Sequence, residues 1–343
     1  MRYRLILPIA ALLAALVAVP AAQAKVRVGL SEQNPEMFAE SNWQKLKLKK
    51  VRYILPWDYA KSPGNHAEVR DFMNAARAKR QDILVTYSAS RGCFVNNRYA
   101  KRRAACKAPS AKAYKAAVRA FRKEFPYTKT FTPWNEVNHI SQPTYKKPKL
   151  AARYYKALKS VCKGCTVMAA DVLDSSDVKS YLRKFQRATK SKGRIWGLHN
   201  YKDVNRRQSK GVRNVSAVTK GQIWLTETGG FVQFKTTGFP FSLKRAAART
   251  KYMFKLAKRY KRVTRLYNYR WFGEPRRARF DAGLVNPDGS KRPGLTQFRK
   301  SIRGLPRSTR FRMPGARASV PRACSGSTST PTPRPARRRR CGG

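Results

Sequence analysis

From Val26 to about Arg303 the chain repeats one unit, a short β-rich run followed by a stretch with helical spacing. The β-rich runs are Val26–Leu30, Lys50–Pro56, Ile83–Tyr87, Lys129–Trp134, Thr166–Ala170, Ile195–His199, Gln222–Thr226 and Thr264–Tyr269. Several are continuously apolar rather than alternating, the pattern of parallel strands covered on both faces. Helical patterns lie between them, clearest at His66–Arg80, Ser110–Phe125, Pro148–Cys162, Ser176–Thr189 and Ser242–Tyr260, and Gly294–Gly304 closes the series. Tyr114, Ala117, Val118, Phe121 and Phe125 show the three-and-four spacing of one buried helix face. Ser110 and Ser176 stand where N-caps belong, while the first helix, near Asn42–Lys49, is short. Such a series points to an α/β chain closed into a (β/α)8 TIM barrel, a single catalytic domain over residues 25–304. An open α/β sheet is the weaker alternative.

Two segments of different composition flank the barrel pattern. Arg2 and Arg4, the apolar stretch Leu5–Val19 and the small residues Ala22-Gln23-Ala24 read as a signal peptide over residues 1–24, removed on export. The apolar run is short for a bilayer span, so no transmembrane segment is expected after processing. Beyond residue 304, Ser325–Pro335 is rich in Ser, Thr and Pro, and Arg337–Arg340 is a pure arginine block. Residues 305–343 therefore read as a disordered basic tail, too poor in apolar surface to offset its ordering entropy. Export implies an extracellular or envelope-associated protein in an oxidising compartment. There the cysteines read as disulfides, paired locally as Cys93–Cys106, Cys162–Cys165 and Cys324–Cys341. Cys162-Lys-Gly-Cys165 could also read as a redox or half-zinc motif. With no second such motif, and with His66, His139 and His199 the chain's only histidines, no metal and no cofactor is expected.

The charge balance is extreme, 76 Lys and Arg against 17 Asp and Glu, formally +59. Such a chain attracts polyanions without selectivity, so its surface is either a solvated cationic coat or a contact for a polyanion or cell surface. The basic residues are spread along the chain, and no helix-turn-helix or finger pattern is present, so no specific nucleic-acid partner is expected. Against this background the scarce acids are informative. Glu32, Asp58, Glu136, Asp171, Asp174, Asp203, Glu227 and Glu274 fall at or just after strand ends, the rim on which barrel active sites lie. Asp174 and Asp203 read better as loop caps, and Asp58 is balanced between the two roles. Glu136 closes Phe131-Thr-Pro-Trp134-Asn135-Glu136 after the fourth strand, and Glu227 closes Ile223-Trp224-Leu-Thr226-Glu227 after the seventh. Strands four and seven face each other across the mouth. Glycoside hydrolysis needs such a pair, one carboxyl protonated for the leaving oxygen and one ionised, and crowding of like charges divides the two roles.

Trp134-Asn135-Glu136 and Trp224-Leu-Thr226-Glu227 resemble the acid/base and nucleophile motifs of clan A glycoside hydrolases. The resemblance implies a retaining (β/α)8-barrel enzyme acting on a poly- or oligosaccharide, with Glu136 as acid/base and Glu227 as nucleophile. It implies that Asn135 binds the sugar 2-hydroxyl and that His199 and Tyr201 lie near the nucleophile. Arg52 would support the nucleophile's carboxylate, and Trp271 would form an aromatic platform under the reactive sugar. Trp57 and Trp134 are further candidate sugar-stacking rings, each with a core-packing alternative. Asn138 and His139 are undecided. The stretch Gly283–Gly289, with Arg292-Pro293 and Phe298, resembles the closing turn before the last helix. Val137-Asn138-His139 replaces the more usual Pro after the acid/base. The main rival function is a non-catalytic barrel that binds anionic glycans or cell wall through its charge.

Overall fold

The computed structural model describes residues 26–95, 98–99, 103–191 and 193–305. The expected leader at 1–24, the basic tail past Leu305 and the Cys324–Cys341 pairing lie outside the described residues. Parallel strands β1 (Arg27–Ser31), β2 (Lys50–Pro56), β3 (Asp82–Ser88) and β4 (Thr130–Thr132) form one half of a barrel. The other half is β5, in two pieces (Thr166–Val167 and Asp171–Leu173), with β6 (Ile195–His199), β7 (Gln222–Thr228) and β8 (Val263–Tyr269). β8 returns to pair with β1. The first piece of β5 pairs with β4 and the second with β6. Met168 N–H to Phe131 O (2.9 Å) and Ala169 N–H to Ile195 O (2.9 Å) bridge the step between them. The ring therefore closes through a divided fifth strand.

Around it run α1 (Ser41–Gln44), α2 (Pro63–Ala78), α3 (Ala111–Glu124), α4 (Pro148–Val161), α5 (Val178–Thr189), α6 (Lys210–Val218), α7 (Leu243–Arg259) and α8 (Pro293–Arg303). A short helix, Tyr201–Asn205, lies between β6 and α6. Ser110 caps α3, accepting from Ala113 N–H at 3.1 Å. Ser176 does not cap α5, which starts one residue later, after Asp177. α6 is not among the helical stretches read from the sequence: Val212, Val215 and Val218 have helical spacing, but the valines and Gly211 are weak helix formers. Tertiary contacts form it: Val212 and Val215 are buried. The Asp203 carboxylate accepts from Gly211 N–H (2.8 Å) and Val212 N–H (2.9 Å) at its start.

Alternation along the strands fills the barrel interior in layers. At the bottom Lys50 pairs with Asp82, and Arg265 lies 3.6 Å from the same carboxylate. Leu84, Met168, Trp224 and Tyr267 form an apolar middle layer. Above them Arg52, Asp171, His199, Thr226 and Glu227 are all buried polar groups. A larger apolar cluster fills the space between barrel and helices, and burying it drives the fold. Cys93–Cys106 and Cys162–Cys165 are bonded, which settles the second pair as a disulfide. Among the described residues no helix is long and apolar enough to cross a membrane.

Gly197 marks where the middle and upper layers meet, and a Cβ there would fall on Asp171 Oδ1 and Met168 Sδ. Overpacking of this kind costs about 1–3 kcal/mol. Gly197→Ala is expected to lower the melting temperature by roughly 2–10 °C. A melting temperature equal to wild type would contradict the interior packing described here.

Candidate active site

The upper layer is organised by Arg52, which is fully buried on β2. Its Nη1 donates to Glu227 Oε1 (2.8 Å) and Ser31 Oγ (3.1 Å). Its Nη2 donates to Asn135 Oδ1 (2.7 Å) and Asp171 Oδ2 (3.0 Å). Glu227 reaches this cluster through an irregularity in β7. Strict alternation turns Trp224 and Thr226 inward and would send Glu227 out toward the helices. The pairing slips here on both edges, between Trp224 and Glu227 against β6 and between Leu225 and Thr228 against β8. This bulge aims Glu227 into the mouth.

Glu136 follows β4 in a loop and adopts φ +41°, in the left-handed region that non-glycine residues rarely enter. The loop is held from both sides. Asn135 N–H donates to Tyr87 O (2.7 Å) and Val137 N–H to Asp171 O (2.9 Å). Asn138 Nδ2 donates to Leu173 O (3.0 Å), and its Oδ1 accepts from Leu173 N–H (2.8 Å), so the amide stands in for a strand residue beside β5. His199 Nδ1 lies 3.0 Å from Glu136 Oε1 and 3.5 Å from Glu227 Oε2. His199 Nε2 lies 3.3 Å from Asp171 Oδ2. Tyr201 donates its hydroxyl to Glu227 Oε2 at 3.2 Å. One oxygen of each glutamate and a His199 nitrogen all lie within 4.8 Å of one another.

Burial works against charge on His199, but Glu227 and then Asp171 outweigh it and push the imidazole up to about 10. Both ring nitrogens then carry protons, so Nδ1–H donates to Glu136 and Nε2–H to Asp171. Arg52 is raised in the same way, its two carboxylate partners overcoming burial. Burial pushes Glu136 up, yet the hydrogen bond and charge of His199 prevail and hold its carboxyl below the usual range. Asp171 is likewise held down, against burial, by His199 and then Arg52. The expectation that crowding keeps one glutamate protonated thus gives way, because a cation stands between the two. Burial and then Glu227 raise the Tyr201 phenol, which remains a donor. Two carboxylates and an imidazole at this spacing could hold a metal ion, with Arg52 adding a positive charge 2.8 Å from Glu227.

Arg52, Asn135, Glu136, His199, Tyr201 and Glu227 therefore converge as the sequence suggested, whereas Trp57 and Trp271 do not. Trp271 is 0% exposed within the apolar core, and its backbone N–H donates to Glu32 (3.0 Å), so it offers no platform. Trp57 is 9% exposed, and Lys61 Nζ stands 4.8 Å from its ring centre, which occupies its face. Trp134 is fully buried and stacks on Tyr154 at 4.8 Å. The aromatic surface at the mouth is instead Tyr201, Phe280 and Tyr269, all partly exposed. Phe280 lies 5.9 Å from Tyr201 and 6.2 Å from Tyr269. Asp171 and Tyr269 are the residues that sequence reasoning left without a role. Tyr269 continues the inward alternation of Arg265 and Tyr267 on β8, which is the signal that could have singled it out.

Asp174 and Asp203 are the caps expected of them. Asp174 Oδ2 accepts from Lys202 N–H (2.8 Å) and Asp203 N–H (3.2 Å), fastening the helix that carries Tyr201. Burial, and then the charge of Asp203, push Asp174 up to about 7 from an ordinary value of 3.8. Between those values the folded chain holds a proton that the unfolded chain has lost, so stability falls as pH rises through the window and levels above it. Asp174→Asn keeps the acceptor oxygen and removes the charge. It is expected to be more stable than wild type at pH 8, by on the order of 2 kcal/mol, and equal to it near pH 4. Thermal melts at both pH values test this; a loss of stability at both would refute it.

A family model for the glycosyl hydrolase catalytic core matches residues 94–298, more than half of the chain. No curated protein sequence matches it. Among solved structures the fold is similar to GH5_18 from Streptomyces cattleya in complex with GlcNAc, with TM-score 0.61, 15% identity, and 82% of this chain and 80% of that one covered. It is similar to a family 39 glycoside hydrolase from Bacteroides cellulosilyticus WH2, with TM-score 0.57, 14% identity and coverage of 81% and 64%. It is also similar to xylanase 10B from Thermotoga maritima, with TM-score 0.56, 11% identity and coverage of 82% and 96%. These neighbours are clan A (β/α)8 glycosidases, and at such identities the likeness carries the fold. On the family match, the chain belongs to the glycosyl hydrolase catalytic core family and is a glycoside hydrolase.

Proposed function

We propose that this glycoside hydrolase cleaves its carbohydrate with retention of anomeric configuration, with Glu227 as nucleophile and Glu136 as acid/base. The observation that carries the reading is the approach of their carboxylate oxygens to within 4.8 Å. Retaining enzymes hold the pair about 5 Å apart, whereas inverting enzymes need roughly 6.5–9.5 Å to admit a water. Arg52 and Tyr201 hold Glu227 by hydrogen bonds to its two oxygens and so aim it. Glu227 attacks the anomeric carbon as the bond to the leaving oxygen breaks and Glu136 supplies that oxygen with a proton. The proton comes from the Glu136–His199 pair: transfer from Nδ1 to Oε1 leaves a neutral imidazole hydrogen-bonded to a carboxylic acid. Glu136 then takes a proton from the incoming water, which attacks the glycosyl-enzyme and frees Glu227. Asn135 presents its oxygen to Arg52, leaving its Nδ2 for a sugar hydroxyl. The Leu5–Val19 leader and the two disulfides support export to an oxidising compartment.

A panel of nitrophenyl glycosides followed by proton NMR tests the reading. The first-formed sugar is expected to keep the substrate's anomeric configuration; an inverted product would overturn the assignment. Glu227→Gln is expected to lose on the order of 10³-fold or more in kcat. Glu136→Gln should spare the first step for good leaving groups and show a burst. The His199 value of about 10 places loss of the shared proton on the alkaline limb of kcat/KM. His199→Gln should shift that limb toward acid, and an unmoved limb would exclude His199 as the proton source.

A further inference from the structure

We infer that a groove leading away from the Glu136 loop, over the outer faces of α4 and α5, binds an acidic polysaccharide strand. The inference rests on the glycosidase reading of the mouth and names the substrate class it would take. Two cavities adjoin here. The one nearer the mouth, about 800 Å³, is lined by Lys107, Ile140, Gln142 and Tyr145. The one farther out, about 940 Å³, is lined by Lys146, Lys147, Lys149, Arg153, Lys184 and Arg187. Ala108, Lys146 and Lys147 border both, which makes one continuous channel.

No carboxylate lines either cavity. From Ile83 to Ala170 the only acids in the sequence are Glu124 and Glu136, so the sector is depleted of negative charge even for this chain. The six outer cations are all exposed, Lys146 lying over the Tyr145 ring, and among the described residues none forms an ion pair. Ser110 and Pro148, at the starts of α3 and α4, border the same cavity, so both helix dipoles add positive potential to it.

The presence of the Glu136 loop in the near wall favours a polysaccharide over a nucleic acid. Ile140 and Gln142 belong to the loop that carries Glu136, and Gln142 Oε1 accepts from Trp134 Nε1 at 2.9 Å. The loop that carries Glu136 thus forms part of the near wall of the channel. Ile140 is 58% exposed at the entrance, an apolar surface suited to a sugar's C–H face. The channel offers point charges without a platform for stacked bases, since its Tyr145 is half-buried beneath Lys146.

The test is binding by the full chain carrying Glu227→Gln, which holds the ligand without cutting it. Polygalacturonate, neutral dextran and a short DNA duplex serve as probes at fixed salt. Lys149→Glu with Arg153→Glu alters the channel, and Lys251→Glu with Lys255→Glu, on the exposed face of α7, makes the same charge change elsewhere. Unchanged melting temperatures establish that both double variants fold. The channel variant is expected to weaken polygalacturonate binding at least about tenfold, and the control less than about threefold, with dextran unbound throughout. Equal losses in the two variants would mean only the general field of the protein is at work and would overturn the proposal. A channel-specific loss confined to DNA would overturn it in favour of a nucleic acid. A wrong assignment of the retaining mechanism shows instead in the product anomer and leaves this binding comparison intact.

Discussion

A buried guanidinium must be surrounded by carboxylates or it cannot stay buried. Arg52 meets that requirement with Glu227 and Asp171, and its remaining protons go to Ser31 and Asn135. Its partners come from the ends of β1, β5 and β7 and from the loop after β4, so one side chain sets the spacing of groups far apart in sequence. With His199 charged, the cluster holds two cations against the three carboxylates Glu136, Asp171 and Glu227. One further proton would make it neutral. The His199 charge nonetheless holds the Glu136 carboxyl below its usual range, so the proton nearest the mouth resides on the imidazole.

The barrel is regular except where this cluster is built. β7 bulges at Glu227, Gly197 clears space for Asp171, Glu136 turns through a left-handed backbone, and Asn138 replaces strand pairing with its side chain. Each departure sacrifices local regularity and each sets a polar group at the mouth, the distribution expected where function and fold compete. Glu32 does related work at the other side. It accepts from the backbone N–H groups of Trp271 and Phe272, and Arg270 bridges it to Glu274. The loop after β8 is thereby pinned beneath the aromatic side of the cleft.

Much of this is legible in the sequence where the signal is local. Lys50–Pro56 and Ile195–His199 have the same bounds in sequence and structure because short β-rich runs, largely apolar, identify covered parallel strands. Glu136 and Glu227 stand out because carboxylates are scarce and each closes an aromatic, β-rich run. α6 is the least legible helix, since its glycine and valines are weak helix formers despite their helical spacing, and packing and the Asp203 cap support it. Trp271 is favoured by the resemblance, but β8 ends at Tyr269, so the alternation that turns Tyr269 inward does not extend to the loop that carries Trp271 into the core. The charge on His199 is likewise invisible in one dimension, because its cause is three carboxylates contributed by separate strands.

The divided fifth strand gives the barrel one joint unlike the others. Near the mouth, this joint is fastened by the Val137–Asp171 backbone bond and by the Asn138 amide rather than by a continuous ladder. The two glutamates are thus held by different means: Glu227 belongs to a strand paired on both edges, whereas the loop that carries Glu136 is tied to the ring by single backbone bonds and one side-chain amide.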